Sequence, residues 1–263
     1  MSPPLFWIDD VPSAGAQTTL RGSEGRHAVT VTRLRAGEPV ILGDGRGATA
    51  LCEVTATSGK DALVVRALSY RFTDRRTPRV ILVQALPKSE RSELVVELVT
   101  EAGVDEIVPW QASRCVAKWS GGKADHRGRP EKAERGVVKW RATAAAAAKQ
   151  SRRPWIPEVT DLATTTVVRA RCADAISAGG QVLALHEDGA VAFRGAVRPA
   201  ATEIVLIVGP EGGLADSEIA DFAALGATTV VLGPEVLRTS TAAAVALGGI
   251  GTLTDRWDPA RGN

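Results

Sequence analysis

The residues best placed to do chemistry lie in the last quarter of the chain, in Val208-Gly-Pro-Glu-Gly-Gly-Leu214 and Leu232-Gly-Pro-Glu-Val-Leu-Arg-Thr-Ser-Thr-Ala242. Each follows a β-branched apolar run and leads into a helical sequence. A buried strand that stops at Gly-Pro and restarts as helix builds a backbone-lined pocket at the carboxyl end of a parallel strand, where open α/β sheets bind ligands. Gly209 and Gly233 stand 24 positions apart, so one ligand held between two loops is expected. A phosphate loop would need Lys and Ser/Thr after its final glycine, but Gly213 is followed by Leu214-Ala215. A dinucleotide fingerprint would need GxGxxG, and Gly209-Pro-Glu-Gly-Gly213 has the wrong spacing. The second turn, with Leu232, Gly233, Val236 and Leu237, is apolar enough to clasp an aromatic base and a thioether.

The elements that must position these turns follow from periodicity and turn chemistry. Residues 79–86 read as a buried strand, 88–102 as a helix with apolar positions at Leu94, Val95, Leu98 and Val99, and 104–109 as the next strand. Gly103 stands where a helix C-cap belongs, which completes a βαβ unit. Pro130 suits the start of a long helix through Lys149, with Lys132, Arg135 and Lys139 on one face and an intrinsically helical alanine run at 144–148. Strands are expected at 181–186, 204–208 and 228–232, and helices at 216–225 and 241–254. The first 70 residues are short apolar runs broken by turns, above all Gly43-Asp-Gly-Arg-Gly47, and predict a small β-rich barrel; residues 27–35 fit either a helix or an edge strand. A polar, proline-ended stretch at 70–78 marks the junction, so the expected domains are 1–73 and 74–263.

The net charge of +2 conceals a basic middle: between Arg114 and Arg153 there are 12 basic groups against three acids. Such a block attracts polyanions and reads as a nucleic-acid footprint, the alternative being a solvated helix face. Cys52, Cys115 and Cys172 are odd in number and far apart, and the three histidines show no metal spacing, so neither a disulfide framework nor a metal is expected. No apolar run is long enough for a membrane span and no leader pattern opens the chain, which predicts a cytoplasmic protein.

With these stretches, residues 27–47, Glu101-Ala-Gly-Val-Asp-Glu-Ile-Val-Pro109, Ser113-Arg-Cys115 and Lys149-Gln-Ser-Arg-Arg-Pro-Trp-Ile-Pro157 complete an ordered set. The set resembles the ribosomal RNA small subunit methyltransferase E family, of the SPOUT class, over nearly the whole chain. The resemblance implies a PUA-like β-barrel that helps bind RNA, followed by an α/β domain with a mainly parallel sheet tied in a trefoil knot. It also implies a homodimer that uses S-adenosyl-L-methionine to methylate N3 of one uridine in 16S ribosomal RNA of the small ribosomal subunit. Carried over by position, the cofactor residues are Leu185, His186, Glu187, Val208, Gly209, Gly212, Gly213, Leu232, Gly233, Leu237, Arg238, Thr239 and Ala242.

Uridine N3 must lose its proton and is engaged in Watson-Crick pairing, so the base must be unpaired or flipped out. Arg238 is the candidate for steadying the uridine oxygen as charge develops. Glu211 is the nearby carboxylate able to take the proton, or it accepts backbone hydrogen bonds and fixes its turn. Candidate RNA contacts are Arg33, Arg114, Lys132, Arg135, Lys139 and Arg152, with ion pairing as the alternative, and Trp140 and Trp155 are aromatic candidates for stacking or for core packing. Two positions depart from the family: Ser240 replaces a usual Glu and Ala102 a usual Leu. Ser240 or Thr239 is expected to cap the following helix. Ser240 also supports a competing reading, a non-catalytic RNA-binding or ribosome-assembly factor on the same scaffold.

Overall fold

The computed structural model describes residues 3–88, 91–119 and 132–258. The chain forms two compact units, Met1–Arg75 with Ala148–Ile156, and Arg76–Ala147 with Pro157–Asn263. The first unit therefore recruits nine residues from far along the chain.

The first unit contains β1 (Leu5–Trp7), β2 (Gln17–Leu20), α1 (Gly22–Arg26), β3 (Pro39–Gly43), β4 (Ala48–Ser58) and β5 (Ala62–Phe72). Its sheet has the order β1-β3-β4-β5-β2, antiparallel except for the β1–β3 pair. Residues His27–Val31 are helical, a π-helical turn continuing α1, which settles the ambiguous stretch. The β3–β4 turn is built by Asp44, whose Oδ1 accepts the N–H groups of Arg46 and Ala48 at 2.7 and 3.1 Å. Gly47, at φ +105°, admits the Trp155 ring where a Cβ would meet it at 2.7 Å. Phe6, Leu20, Val40, Leu42, Val54, Leu63 and Val65 fill the core, because alternate residues of each strand point inward. The added segment is fastened by Lys149, whose Nζ donates to both Glu24 oxygens at 2.7 and 2.9 Å, and by the Trp155 indole N–H on the Thr73 carbonyl at 2.7 Å.

The second unit carries β6 (Arg79–Ala85), α2 (Ser92–Glu101), β7 (Glu106–Trp110), α3 (Lys132–Gln150), β8 (Glu158–Val159) and α4 (Thr165–Ser177). It continues through β9 (Gln181–Leu185), β10 (Val191–Ala192), α5 (Phe193–Ala196), β11 (Glu203–Val208), α6 (Asp216–Ala224), β12 (Thr228–Val231) and α7 (Thr239–Leu253). All seven strands are parallel, in the order β10-β12-β9-β11-β6-β7-β8. The central strands are buried on both faces, which is why 80–83 and 204–208 read as unbroken apolar runs instead of alternating ones. The β6-α2-β7 unit forms as expected, with Gly103 at φ +101° ending α2. Pro130, expected to open α3, lies outside the described residues. From Lys132 the helix buries Val137, Trp140, Ala144, Ala147 and Ala148 and exposes Lys132, Arg135 and Lys139.

At the amino-terminal edge of this sheet, Arg256 donates to the Asp105 carboxylate at 2.8 Å and to the carbonyls of Pro78 and Gly103. Beside it, Glu106 accepts from Arg79 and Arg171 at 2.5 and 3.3 Å, and burial pushes its carboxyl above the usual range even though both arginines pull it down. The three cysteines are free and buried; burial raises the Cys52 thiol to about 11 and that of Cys172 to about 12.

Candidate cofactor cleft

At the opposite, carboxyl-terminal edge, the loops after β9, β11 and β12 enclose a cleft of about 470 Å³. These strands are neighbours in the sheet, so turns distant in sequence meet in space. Leu185, His186, Glu187, Val208, Gly209, Gly212, Gly213, Leu232, Gly233, Leu237, Arg238, Thr239 and Ala242 all line it, together with Glu211 and Arg114. The volume falls in the range of small-molecule sites, roughly 300–1,000 Å³. Its lining combines the glycine turns and Leu185, Leu214, Leu232 and Leu237 with the carboxylates Glu187, Glu211 and Glu235, which suits a ligand with an apolar ring and a thioether better than a polyphosphate.

Each wall has a local cause. In the first turn the Gly213 N–H donates to Pro210 O at 2.9 Å, and Gly213 takes φ +70°, a conformation that L side chains resist. Arg114 clamps this turn from outside, donating to Leu214 O at 2.8 Å and Gly212 O at 3.4 Å and pairing with Asp216 at 3.4 Å. From beneath, the buried Glu218 accepts from Ala215 N and Ser113 N, both at 2.9 Å, joining the helix start to the loop after β7. Glu211 is exposed, and its Oε1 accepts the Lys88 N–H at 3.0 Å.

The two turns are tied to each other by one hydroxyl. Thr239 Oγ1 donates to Gly209 O at 2.6 Å and accepts from the buried Gln84 Nε2 at 3.0 Å. The hydroxyl is therefore spent between the turns and does not cap α7; Arg238 occupies the N-cap position without a side-chain cap, and Ser240 is buried at 1% exposure in the first helical turn. The capping expected of Ser240 or Thr239 is thus replaced by a cross-turn bond. Arg238 stands exposed at the rim.

The third wall is set by His186. Its N–H donates to Val230 O at 3.0 Å, and its Nδ1 accepts the Asp188 N–H at 3.1 Å, so the ring proton of the neutral form sits on Nε2. Sequence reading missed Thr239's bridging role, Gln84 and Glu218. Only Glu218 left a signal, a glutamate three residues into a helix, where such side chains reach back to the first amides.

The basic candidates are placed unevenly. Lys139 pairs with Glu93 at 3.0 Å while Lys132 and Arg135 are exposed on the same α3 face. Arg33 and Arg152 are both exposed and are the non-glycine residues at positive φ among those described, 59° and 55°. Of the two tryptophans, Trp140 is fully buried, donates to Ser92 Oγ at 2.8 Å and meets Trp119 edge-on, so it serves the core and not base stacking. Trp155 is half-buried, with Arg75 over its ring at 4.1 Å. Among the described residues no group of three or more His, Cys, Asp or Glu is gathered for a metal, and no helix is long and apolar enough to cross a membrane.

Comparison with known proteins sets the class first: residues 75–251 match the RNA methyltransferase domain family and residues 20–68 the RNA methyltransferase PUA domain family. A ribosomal RNA small subunit methyltransferase E from Mycobacterium bovis is 46% identical over 97% of this chain and 93% of its own length, and one from Bacillus subtilis is 30% identical over 90% of each. This chain belongs to the ribosomal RNA small subunit methyltransferase E family. Among solved structures, the Neisseria gonorrhoeae enzyme of that name bound to S-adenosyl methionine superposes with TM-score 0.81 at 25% identity, covering 96% of this chain and 98% of that one. A Legionella pneumophila methyltransferase in complex with the same cofactor gives 0.79 at 27%, covering 97% and 99%.

Proposed function

We propose that the protein methylates N3 of a specific uridine in 16S ribosomal RNA of the small ribosomal subunit, with S-adenosyl-L-methionine held in the cleft. The observation that carries this reading is the convergence of three separate loops, after β9, β11 and β12, on one backbone-lined cleft in a chain of this family. When bound, the cofactor supplies a methyl group on a sulfonium. The apolar Leu185, Leu232 and Leu237 suit its adenine and thioether, and the glycine turns suit close backbone approach. Transfer is an in-line displacement, so rigid turns contribute by positioning.

In this reading Arg238, at the rim, steadies the uridine oxygen as N3 is deprotonated. Glu211 has one oxygen committed to Lys88 and the other without a partner among the described residues, which leaves one oxygen to receive the proton. Lys132, Arg135 and Lys139 with Arg114 supply phosphate contacts in the second unit, and Arg33 and Arg152 in the first. The reading also includes residues 1–73 as a PUA-like RNA-binding domain and 74–263 as a trefoil-knotted transferase domain, a homodimeric assembly and a cytoplasmic location.

The test is incubation of labelled S-adenosylmethionine with small subunits lacking the modification, followed by mapping of the labelled base. Label on N3 of a single uridine is the expected result. Label elsewhere, or none with cofactor bound, contradicts the reading.

A further inference from the structure

We propose that Tyr70 and Phe72 form a platform on which unpaired bases of single-stranded RNA stack, with Arg75 attracting the backbone. The proposal rests on the reading above that the substrate is an RNA.

The two rings share a face because they stand two residues apart on β5, and a bulge at Leu68 sets which face that is. Along the β4–β5 ribbon Cys52 faces Ala67 but Leu51 faces Ser69, leaving Leu68 unpaired, and beyond it Ala50 faces Tyr70 and Ala48 faces Phe72. Opposed residues of an antiparallel pair lie on one face, so both rings share the face of the buried Ala50 and Ala48 and are half-exposed at the far end of the strand. Two residues along a strand separate them by about 7 Å. This is the aromatic spacing with which sheet-borne RNA-binding modules stack successive splayed bases.

Exposure of these rings is not accounted for by packing. Tyr70 is 49% and Phe72 54% exposed, and Tyr70 is the single tyrosine of the chain. Phe72 is braced at its edge by Trp155, with centroids 6.1 Å apart, and Trp155 is itself fixed by its bond to Thr73 O. Arg75 is held over the Trp155 ring at 4.1 Å, beside the platform. Trp155 thus acts as the brace, its ring and N–H already engaged. Residues 66–75 carry Arg66, Arg71 and Arg75 against Asp74 alone, a charge that favours a polyanion over an apolar protein surface.

The experiment uses the full chain and a fluorescent single-stranded oligonucleotide rich in unpaired uridines, with a duplex of matched length as control. The Tyr70→Ala/Phe72→Ala variant is expected to lose about tenfold or more in single-strand affinity while duplex affinity and S-adenosylmethionine binding stay unchanged. Tyr70→Phe and Phe72→Tyr, which keep a ring, are expected to retain binding, and 4-thiouridine in the oligonucleotide is expected to cross-link to Tyr70 or Phe72. Unchanged single-strand affinity, equal loss for duplex and single strand, or a change in oligomeric state with RNA affinity intact would each overturn the platform. These outcomes leave methyl transfer by the wild type untouched, whereas a wild type that binds cofactor and methylates no RNA overturns the functional reading instead.

Discussion

At the amino-terminal edge of the parallel sheet Arg256 is 4% exposed, donating to Asp105 and to backbone carbonyls, whereas at the carboxyl-terminal edge Arg114 is 47% exposed and clamps a glycine turn. The first closes its edge with buried charge that must stay paired; the second leaves its edge open, held by Arg114, by Glu218 beneath and by the Thr239 hydroxyl. The contrast places the buried ion pair at the edge away from the cleft and leaves the arginine at the ligand edge half-exposed. Parallel sheets bind ligands at their carboxyl ends, and the open edge here is that end.

Breaking the closed edge gives the largest effect. Arg256→Ala leaves Asp105 buried without its cation and is expected to cost about 3–5 kcal/mol of stability in denaturant unfolding, with S-adenosylmethionine affinity of the folded fraction unchanged. A loss under about 1 kcal/mol would remove the contrast. Thr239→Val conserves shape but deletes the bond between the turns and leaves Gln84 without that acceptor, so a penalty of about 1–3 kcal/mol is expected. This one appears chiefly as weaker cofactor binding by calorimetry, and equal affinity with a large stability loss would place Thr239 with the core instead. The smallest effect belongs to Arg114→Ala. Because the side chain is half-exposed, stability should move by about 0–1 kcal/mol, while cofactor affinity falls measurably as the Gly212 and Leu214 carbonyls lose their donor.

How much of this was legible in sequence depends on whether the cause is local. The apolar runs of β6, β9, β11 and β12, the Gly103 cap and the Asp44 turn act over a few residues, and periodicity with turn chemistry reveals them. The pairing of the two Gly-Pro-Glu steps was also readable, because strand-to-helix turns in a parallel sheet converge at one edge. Three things were not. The return of residues 148–156 to the first unit depends on Lys149 finding Glu24 and Trp155 finding the notch at Gly47, contacts with no sequence period. Thr239 looked like a helix cap because local rules favour it there; the Gly209 carbonyl 30 residues away competes better for its hydroxyl. Trp140, set in a basic helix, was open to stacking or core packing, and only the helix phase, which puts it with Val137 and Ala144 on the inner face, decides for the core.

The central claim is that the open edge of the sheet is a cofactor site, and titration calorimetry of the full chain with S-adenosylmethionine addresses it most directly. The account predicts saturable binding of one cofactor per chain, weakened by Thr239→Val and unchanged by substitution at the exposed Val138 on α3. Absence of binding, with or without small-subunit RNA, would contradict it and favour a scaffold that binds RNA without transferring a methyl group.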